Sequence, residues 1–322
     1  MLCVNQTKTD PYFNIASEEF LLKNFDEDII MLYINEPSVI VGKHQNTLAE
    51  INYKLAKQKE VSIIRRLSGG GAVYHDLGNL NFTFIKNGTP GKLVDFKGYT
   101  QPIVDALNEI GVNAEFGGHN SLLVGEKKFS GNAEHIFKNR VMHHGTILFS
   151  TNLETLAEVL YVSSTRFNDN AVKSVRAKTT NLNSHLPSDF SISKLKQFLF
   201  NRLSESTTNA RVYKFTDADT SSIMNLVENK YLTWDWNFGY SPSYTFSRSF
   251  SVSDKQANIE VTVEKGRIMG IIIKGNEGND PSATIIAQAL KGVKHNDFEV
   301  QQVINKLPIS DELKQKLVEY LF

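Results

Sequence analysis

Between residues 61 and 71 the chain runs from a β-branched stretch, Val61-Ser62-Ile63-Ile64, through Arg65-Arg66-Leu67-Ser68 into three consecutive glycines, Gly69, Gly70 and Gly71. No other segment constrains the fold as strongly. Glycine lets the main chain reach φ > 0 and lets a ligand approach the backbone closely. Successive free N–H groups in such a loop form a nest for anions. Arg65 and Arg66 at its mouth add planar cationic forks suited to carboxylate or phosphate. From these residues alone, a plain inter-strand turn and an anion cradle fit equally well. Two commoner glycine motifs do not fit. No Gly-Lys-Ser/Thr closes the loop, and Tyr74 stands where a dinucleotide fingerprint needs its third glycine.

The 322 residues suffice for one large domain plus a small one, or for two of medium size. Lys+Arg and Asp+Glu both number 35, so the net charge is zero and bulk electrostatic binding to nucleic acid or a membrane is not expected. Cys3 is the only cysteine, which rules out a disulfide within the chain and suits a reducing compartment. The early residues Asp10, Glu18 and Glu19 do not read as a secretory leader, and no apolar run approaches bilayer-spanning length. A cytoplasmic protein is expected.

Asp10-Pro11 reads as a helix start, followed by a stripe of Ile15, Ala16, Phe20, Leu21 and Leu22. Strand patterns follow at Ile29–Ile34, Val39–Val41, Val61–Arg66 and Asn79–Ile85. In the last, Leu80, Phe82 and Phe84 alternate with Asn79, Asn81 and Thr83, which predicts one buried and one polar face. A helix is predicted over Thr100–Ile110, a hairpin over 121–133 around Gly125-Glu126, a strand over Gly145–Phe149 and a helix over Leu153–Leu160. Residues 162–181 carry Arg166, Lys173, Arg176 and Lys178 among Ser, Thr and Asn, and read as a long basic loop. Helices are predicted at Ile192–Leu203 and Asp219–Lys230. Beyond the punctuation at Trp234–Pro242 come two strands, Ile259–Val263 and Ile268–Ile273, then helices at Ala283–Leu290, Phe298–Leu307 and Ser310–Leu321. The expected organisation is α+β with mixed sheets, in two domains, 1–245 and 246–322.

The hairpin holds the best catalytic candidate. Period-two facing puts Lys128, Ser130 and Asn132 on one side and Lys127, Phe129, Gly131 and Ala133 on the other, with Phe129 marking the buried side. Two solvated lysines after a tight turn would be the plainer reading. Adjacent His143 and His144 in a strand point to opposite faces and are a poor pair of ligands for one metal ion.

The string from Arg65 to Asn79 closely resembles the lipoate–protein ligase signature, Arg-Arg-x-Ser-Gly-Gly-Gly-Ala-Val-(Phe/Tyr)-His-Asp-x-Gly-Asn. The resemblance extends through Asp10-Pro11-Tyr12-Phe13-Asn14, Val41-Gly42-Lys43-His44-Gln45-Asn46, Lys128-Phe129-Ser130-Gly131-Asn132-Ala133, His143-His144-Gly145-Thr146-Ile147-Leu148, and Lys173-Ser174-Val175-Arg176 with Thr180-Asn181-Leu182. It implies a biotin/lipoyl ligase-like catalytic domain with a small C-terminal accessory domain. It also implies a reaction in which lipoate and ATP give lipoyl-adenylate, and the lipoyl group passes to a lysine of an acceptor protein. By that resemblance Lys128 is the catalytic lysine. Arg66, Gly71, Ala72, Val73, Tyr74, Asn79, Lys128, Lys173 and Arg176 are candidates for the nucleotide. Arg66, Ser68, Gly70, Gly71, His75, Lys128 and His144 are candidates for lipoate. Leu67, Phe82 and Phe84 are apolar candidates for the wall of the acyl pocket.

The implied acceptors are lipoyl domains of 2-oxoacid dehydrogenase E2 subunits or the glycine-cleavage H protein. Magnesium is expected with ATP. Its protein ligands are unassigned, because Gly118-His119-Asn120-Ser121 stands where the family often shows Gly-Arg-Asn-Asp. Related octanoyl- and amidotransferases use a catalytic cysteine, and Cys3 lies in no catalytic segment. The Gly-Arg-Gly-Arg signature of biotin ligases is not found. The alternative reading is a transferase that moves a lipoyl or octanoyl group from a carrier or preformed adenylate. A silent lipoyl-binding module is a third reading, and the intact Arg66, Gly69–Tyr74 and Lys128 speak against it.

Overall fold

The computed structural model describes residues 1–88, 93–118, 120–162, 166–175, 177–206, 209–252, 255–275 and 281–322. An eight-stranded mixed sheet forms the centre, in spatial order Arg211–Val212, Leu2–Asn5, Ile29–Ile34, Asn79–Asn87, Arg140–Leu148, Lys127–Phe137, Ser121–Val124 and Ala114–Phe116. The first two pairings are parallel and the others antiparallel.

The helix Pro11–Asn24 starts where Asp10 accepts from the N–H groups of Tyr12 and Phe13, with proline at its first turn. It packs on one face of the sheet through Phe13, Ile15, Phe20 and Leu21, against Met31, Tyr33, Ile85 and Met142. The opposite face, with Leu80, Phe82, Phe84, Phe129 and Val141, is covered by helices Phe96–Glu109 and Ile192–Glu205. The first of these begins at residue 96 because Asp95 caps it, so Pro102 lies inside it and not in its first turn.

A three-stranded sheet, Ser62–Arg65, Ser38–Val41 and Val73–His75, lies over the same face as the first helix, and Ile40 and Ile64 join that core. It carries the glycine loop between its outer strands. The polar alternation in Asn79–Asn87 does not face solvent. Asn79, Asn81 and Thr83 are all buried, because the three-stranded sheet and first helix roof them over.

The C-terminal unit is a four-stranded antiparallel sheet, Phe167–Asp169, Tyr244–Val252, Lys255–Glu264 and Arg267–Gly275. Helices Pro281–Leu290, Asp297–Asn305 and Asp311–Tyr320 contribute Ile286, Leu290, Val300, Ile304 and Leu317 to its core. The strand Tyr244–Val252 was not expected. Its run of Ser, Thr and Arg between aromatics hides a period-two pattern in which Tyr244, Phe246 and Phe250 are buried. The boundary expected at 245/246 falls at this strand's second residue. The segment 162–181, read as a loop, contributes the edge strand Phe167–Asp169 to the sheet. No helix among the described residues is long and apolar enough to cross a membrane.

Candidate functional site

Two cavities meet beneath the glycine loop. The inner chamber, about 300 Å³, is lined by Ile15, Tyr33, Ile40, His75, Asn81 and His144. The outer one, about 500 Å³, is lined by Tyr74, Leu148, Leu153, Leu156, Leu160 and Phe167. Ala72, Val73, Lys128, Gly131, Thr146 and Lys173–Val175 border both, and so form the throat between them.

The floor follows from sheet register. Tyr33 pairs with Asn81 and Asn81 with Thr146, while Thr83, His144 and Ala133 make the neighbouring row. Cross-strand partners share a face, so this polar row looks into the cavity. Asn79 lies at the strand end and is not among the residues lining either chamber. Its Nδ2 donates to Asn81 Oδ1 at 2.8 Å, so it orients a lining residue and stands one step behind. Phe82 and Phe84 point to the opposite face of the sheet and Leu67 packs into the core under the first helix. None of the three lines the cavity. The apolar walls of the inner chamber come from Ile15, Ile40 and Val73.

The facing expected for the hairpin 121–133 is corrected by a β-bulge. Leu122 pairs with Ser130 but Leu123 pairs with Lys128, which leaves Phe129 unopposed. One extra residue reverses the alternation beyond it. Lys128 therefore shares its face with Gly131, whose added Cβ would lie 3.3 Å from Lys128 Nζ, and not with Ser130 and Asn132. Asn132 turns the other way, with its Oδ1 3.2 Å from His143 Nε2. Lys128 itself reaches the throat as expected. Its backbone is clamped by Lys178 O and Thr180 N at 2.9 and 3.0 Å. Burial lowers its pKa, and among the described residues no ion pair offsets this.

Arg65 and Arg66 diverge. Arg65 points away from the loop mouth. Fully buried, it donates to the carbonyls of Gly42, Lys43, Gln45, Trp236 and Asn237 and to the hydroxyls of Thr47 and Ser241. Alternation along the strand makes this unavoidable once Arg66 faces the cavity. Arg66 lines the inner chamber, yet it spends most of its donors on the loop: Ser68 Oγ at 2.9 Å, Ile40 O at 2.9 Å, Gly69 O at 2.6 Å and Gly71 O at 2.8 Å. Burial brings its pKa down to about 10, so it remains a cation. Gly70 is the residue that needs glycine's freedom, at φ +84.

Ser68 is fully buried and does not line the cavity. It joins a chain in which Arg66 Nε donates to Ser68 Oγ, Ser68 lies 2.6 Å from His144 Nε2, and His144 Nδ1 lies 2.9 Å from Glu18 Oε2. Burial pushes Glu18 up, but His144, Thr83 and Tyr33 outweigh it and hold the carboxyl below its ordinary value. Glu18 accepts from the Nδ1–H of His144. This resembles a nucleophile triad, but the serine has no access to a substrate, and the chain ties the glycine loop to the first helix. Glu18 was missed in the sequence. The signal was an acidic pair, Glu18-Glu19, flanked by the apolar residues Ile15, Ala16, Phe20, Leu21 and Leu22 of the same helix.

Ser174 was also missed as a contact. Its hydroxyl accepts from the Ala72 N–H at 2.9 Å and from Gln45 Nε2 at 3.1 Å, and donates to Glu50. The strap, residues 167–175 and 177–180, thereby covers the throat, with Lys173 paired to Asp169 at 2.6 Å. Arg176 and His119 lie outside the described residues. Among those described, no three His, Cys, Asp or Glu side chains stand close enough to hold a metal ion. Glu50 and Asp169, the carboxylates beside the throat, are engaged by Ser174 and by Lys173 and Asn46. His143 and His144 face opposite sides, as expected. His143 stacks on Tyr99 with ring centroids 5.1 Å apart.

The arrangement is a throat that holds Lys128, with Arg66 beside it in the inner chamber, joining a pocket of mixed polar and apolar lining to a second chamber. Known proteins place it. Residues 10–204 match the model of the lipoyl protein ligase A/B catalytic domain. Lipoate–protein ligase 1 of Staphylococcus aureus is 37% identical over 304 residues, covering 94% of this chain and 92% of its own. A crystal structure of lipoate-protein ligase A bound with ATP superposes with TM-score 0.64 at 28% identity, covering 74% of this chain and 98% of the other. An archaeal bi-partite lipoate protein ligase, from a study with its E2 lipoyl domain from Thermoplasma acidophilum, gives TM-score 0.63 at 27% identity, covering 74% and 96%. With its signature motifs gathered around one throat and its likeness running nearly end to end, the chain belongs to the lipoate–protein ligase family.

Proposed function

We propose that the protein activates lipoate with ATP and transfers the lipoyl group to a lysine of an acceptor lipoyl domain. The observation that carries this is the Lys128 ammonium, half-buried and without a carboxylate partner among the described residues, at the throat between the two chambers. The acyl chain occupies the inner chamber with its carboxylate at the throat, and the nucleotide occupies the outer chamber. A carboxylate oxygen attacks the α-phosphorus, the bridging bond to the β-phosphate breaks, and pyrophosphate leaves. The acceptor amine then attacks the acyl carbonyl, the bond to AMP breaks, and the amine proton is lost.

Lys128, with Arg66 behind the loop and the N–H groups of Gly71, Ala72 and Val73, stabilises charge at the phosphorus. Preorganised donors and cations aimed at developing charge are usually the largest catalytic term. Tyr74 and Val73 wall the nucleotide, Lys173 flanks it, and Asn79 acts through Asn81. Ser174 must release the Ala72 N–H for phosphate to take it. Residues 1–245 form the adenylating unit and 246–322 the accessory one. The ligase studied with its E2 lipoyl domain supports E2 lipoyl domains as acceptors, with the glycine-cleavage H protein as the other candidate. Magnesium would ride on the nucleotide phosphates, since the described side chains offer it no cage, and no step is assigned to it.

Lipoate-dependent exchange of labelled pyrophosphate into ATP tests this. Lys128→Ala should slow exchange by about a hundredfold or more, and the exposed Lys127→Ala by far less. No exchange from the wild-type protein, with transfer from synthetic lipoyl-adenylate intact, would replace the ligase reading with a transferase.

A further inference from the structure

A neutral lysine amine is the nucleophile that the transfer step consumes. Two lysines of the chain itself, Lys128 and Lys173, border the throat among the described residues. Lys128 meets the phosphate in the ligase reading. Lys173 has a different partner: its Nζ lies 2.6 Å from Asp169 Oδ1. The Asp169 side chain is fully buried, whereas that of Lys173 is half exposed. The carboxylate is fixed from two other sides as well. Its Oδ1 accepts from the Ala171 N–H at 3.0 Å and its Oδ2 from Asn46 Nδ2 at 3.1 Å. Burial pushes Asp169 up, but Lys173, Asn46 and the Ala171 N–H outweigh it and hold the carboxyl below its ordinary value. A fixed anion therefore stands behind the strap.

The place of the pair in the fold decides what it does. Asp169 borders neither chamber and ends the edge strand Phe167–Asp169, where it pairs with Tyr244 of the C-terminal sheet. Lys173 comes four residues later, in the part of the strap that covers the throat. The anion belongs to a sheet edge and the amine to the strap. In the ion pair Nζ carries three hydrogens and no free electron pair, and it is drawn toward that edge. Released and neutral, the same amine would attack the acyl carbonyl of lipoyl-adenylate: an amide bond forms at Nζ, the bond to AMP breaks, and the amine proton passes to water. A nucleophile held beside its target gains a large effective concentration, so the strap would compete with the acceptor.

We propose that Asp169 is a positioning residue that withholds Lys173 from the transfer step, so that the lipoyl group passes to the acceptor and not to the enzyme's own strap. The identity of the acyl group rests on the ligase reading above. Asp169 lies outside the signature segment Lys173–Arg176, and the resemblance gives it no role. The pair accounts for a lysine standing in a throat whose chemistry is to acylate lysines.

The test gives the full chain synthetic lipoyl-adenylate without an acceptor and maps lipoyl-lysine by peptide mass spectrometry. The readout is the adduct at Lys173 relative to that at the exposed Lys138, which is remote from the throat. Asp169→Asn should raise this ratio by roughly fivefold or more over wild type, the scale on which a hydrogen bond to a charged group holds its partner. Asp169→Glu, which restores the charge, should return it toward wild type. Ser174→Ala loosens the strap but keeps the ion pair, and should leave the ratio low. Nitrogen-15 spectra of lysine-labelled wild type, which need no variant to fold, should show the Lys173 ammonium protected from solvent exchange relative to Lys138. An unchanged ratio in Asp169→Asn, an equal rise in Ser174→Ala, or an unprotected Lys173 ammonium would overturn the proposal. Repeating the reaction with lipoate and ATP separates the two readings. Adduct in Asp169→Asn from the adenylate, with none from lipoate and ATP and no pyrophosphate exchange in wild type, would remove the activation step and leave the role of Asp169 standing.

Discussion

Gly71→Ala separates the loop's own fold from the strap that lies on it. A Cβ added at Gly71 would meet Ser174 Oγ at 2.9 Å, Cα at 3.0 Å and Cβ at 3.1 Å, its three nearest atoms. Gly71 does not sit at positive φ, so alanine is sterically acceptable to its own backbone. The substitution should therefore push Ser174 away without disturbing the core. Four hydrogen bonds are at stake: Ala72 N–H and Gln45 Nε2 to Ser174 Oγ, and the Ser174 hydroxyl and N–H to Glu50. At a net 0.5–1.5 kcal/mol each, less than full loss gives about 3 kcal/mol, or roughly a hundredfold shift toward the open strap. Global stability should hold or rise slightly, since replacing glycine restricts the unfolded chain by about 0.4–1 kcal/mol.

Hydrogen exchange over residues 170–175 of the ligand-free protein is the assay. Protection there should fall by roughly two orders of magnitude while the melting midpoint is maintained. Ser174→Ala, which keeps the N–H to Glu50 and adds no clash, should lose less. If Gly71→Ala leaves the strap's protection intact, the Ser174 contact does not hold the strap closed and the reasoning fails. A lowered midpoint with general loss of protection would show that the loop, not the strap, yields.

Gly42→Ala should behave in the opposite way, because its Cβ would fall 2.0 Å from Gly70 O, where both sides are backbone; activity and thermal stability should drop together. Arg65→Met should destabilise by at least about 3 kcal/mol in urea titrations, because it strands several buried carbonyls at about 1 kcal/mol or more apiece. His295, held between Tyr244 OH at 2.7 Å and Leu321 O at 2.8 Å, has its pKa pressed down to about 4 by burial. The unfolded chain then binds the extra proton first, so stability is full above about pH 6.5 and about 3 kcal/mol is lost as pH falls to about 4; His295→Gln should flatten that part of the stability profile.

Local chemistry was the legible part. Asp10-Pro11 announced the first helix, Gly125-Glu126 the hairpin, and the glycine string with Lys128 the throat. What escaped depends on partners distant in sequence. Period-two reasoning put Lys128 with Ser130 because a bulge has no mark in an unaligned strand: Phe129 is a good strand residue whether or not it has an opposite number. The polar alternation Asn79, Asn81, Thr83 was correct as a pattern, yet which side meets solvent was decided by a second sheet laid over it. Phe82 and Phe84 looked like acyl-pocket residues because they are apolar and near the motif, whereas the pocket floor is the polar side of the same strand. Ser174 could be found only through what it touches.

The adjacent arginines show why one motif can serve two purposes. A strand end must aim consecutive side chains in opposite directions. Here one direction is the glycine loop and the other is the segment 236–241 that leads into the accessory sheet. Arg66 braces the loop carbonyls, while Arg65 binds the 42–47 turn and the carbonyls of Trp236 and Asn237 in a single grip, and Trp236 Nε1 returns a hydrogen bond to Arg65 O at 2.7 Å. The strap makes a second connection, since Phe167–Asp169 pairs with Tyr244–Phe246 while residues 178–180 clamp Lys128. The glycine loop and Lys128 are therefore each tied by hydrogen bonds to the seam with the C-terminal unit. Lysine at position 65 would keep the charge but lose the planar fork that reaches both sides of that seam, so the requirement there is geometric and not simply for positive charge.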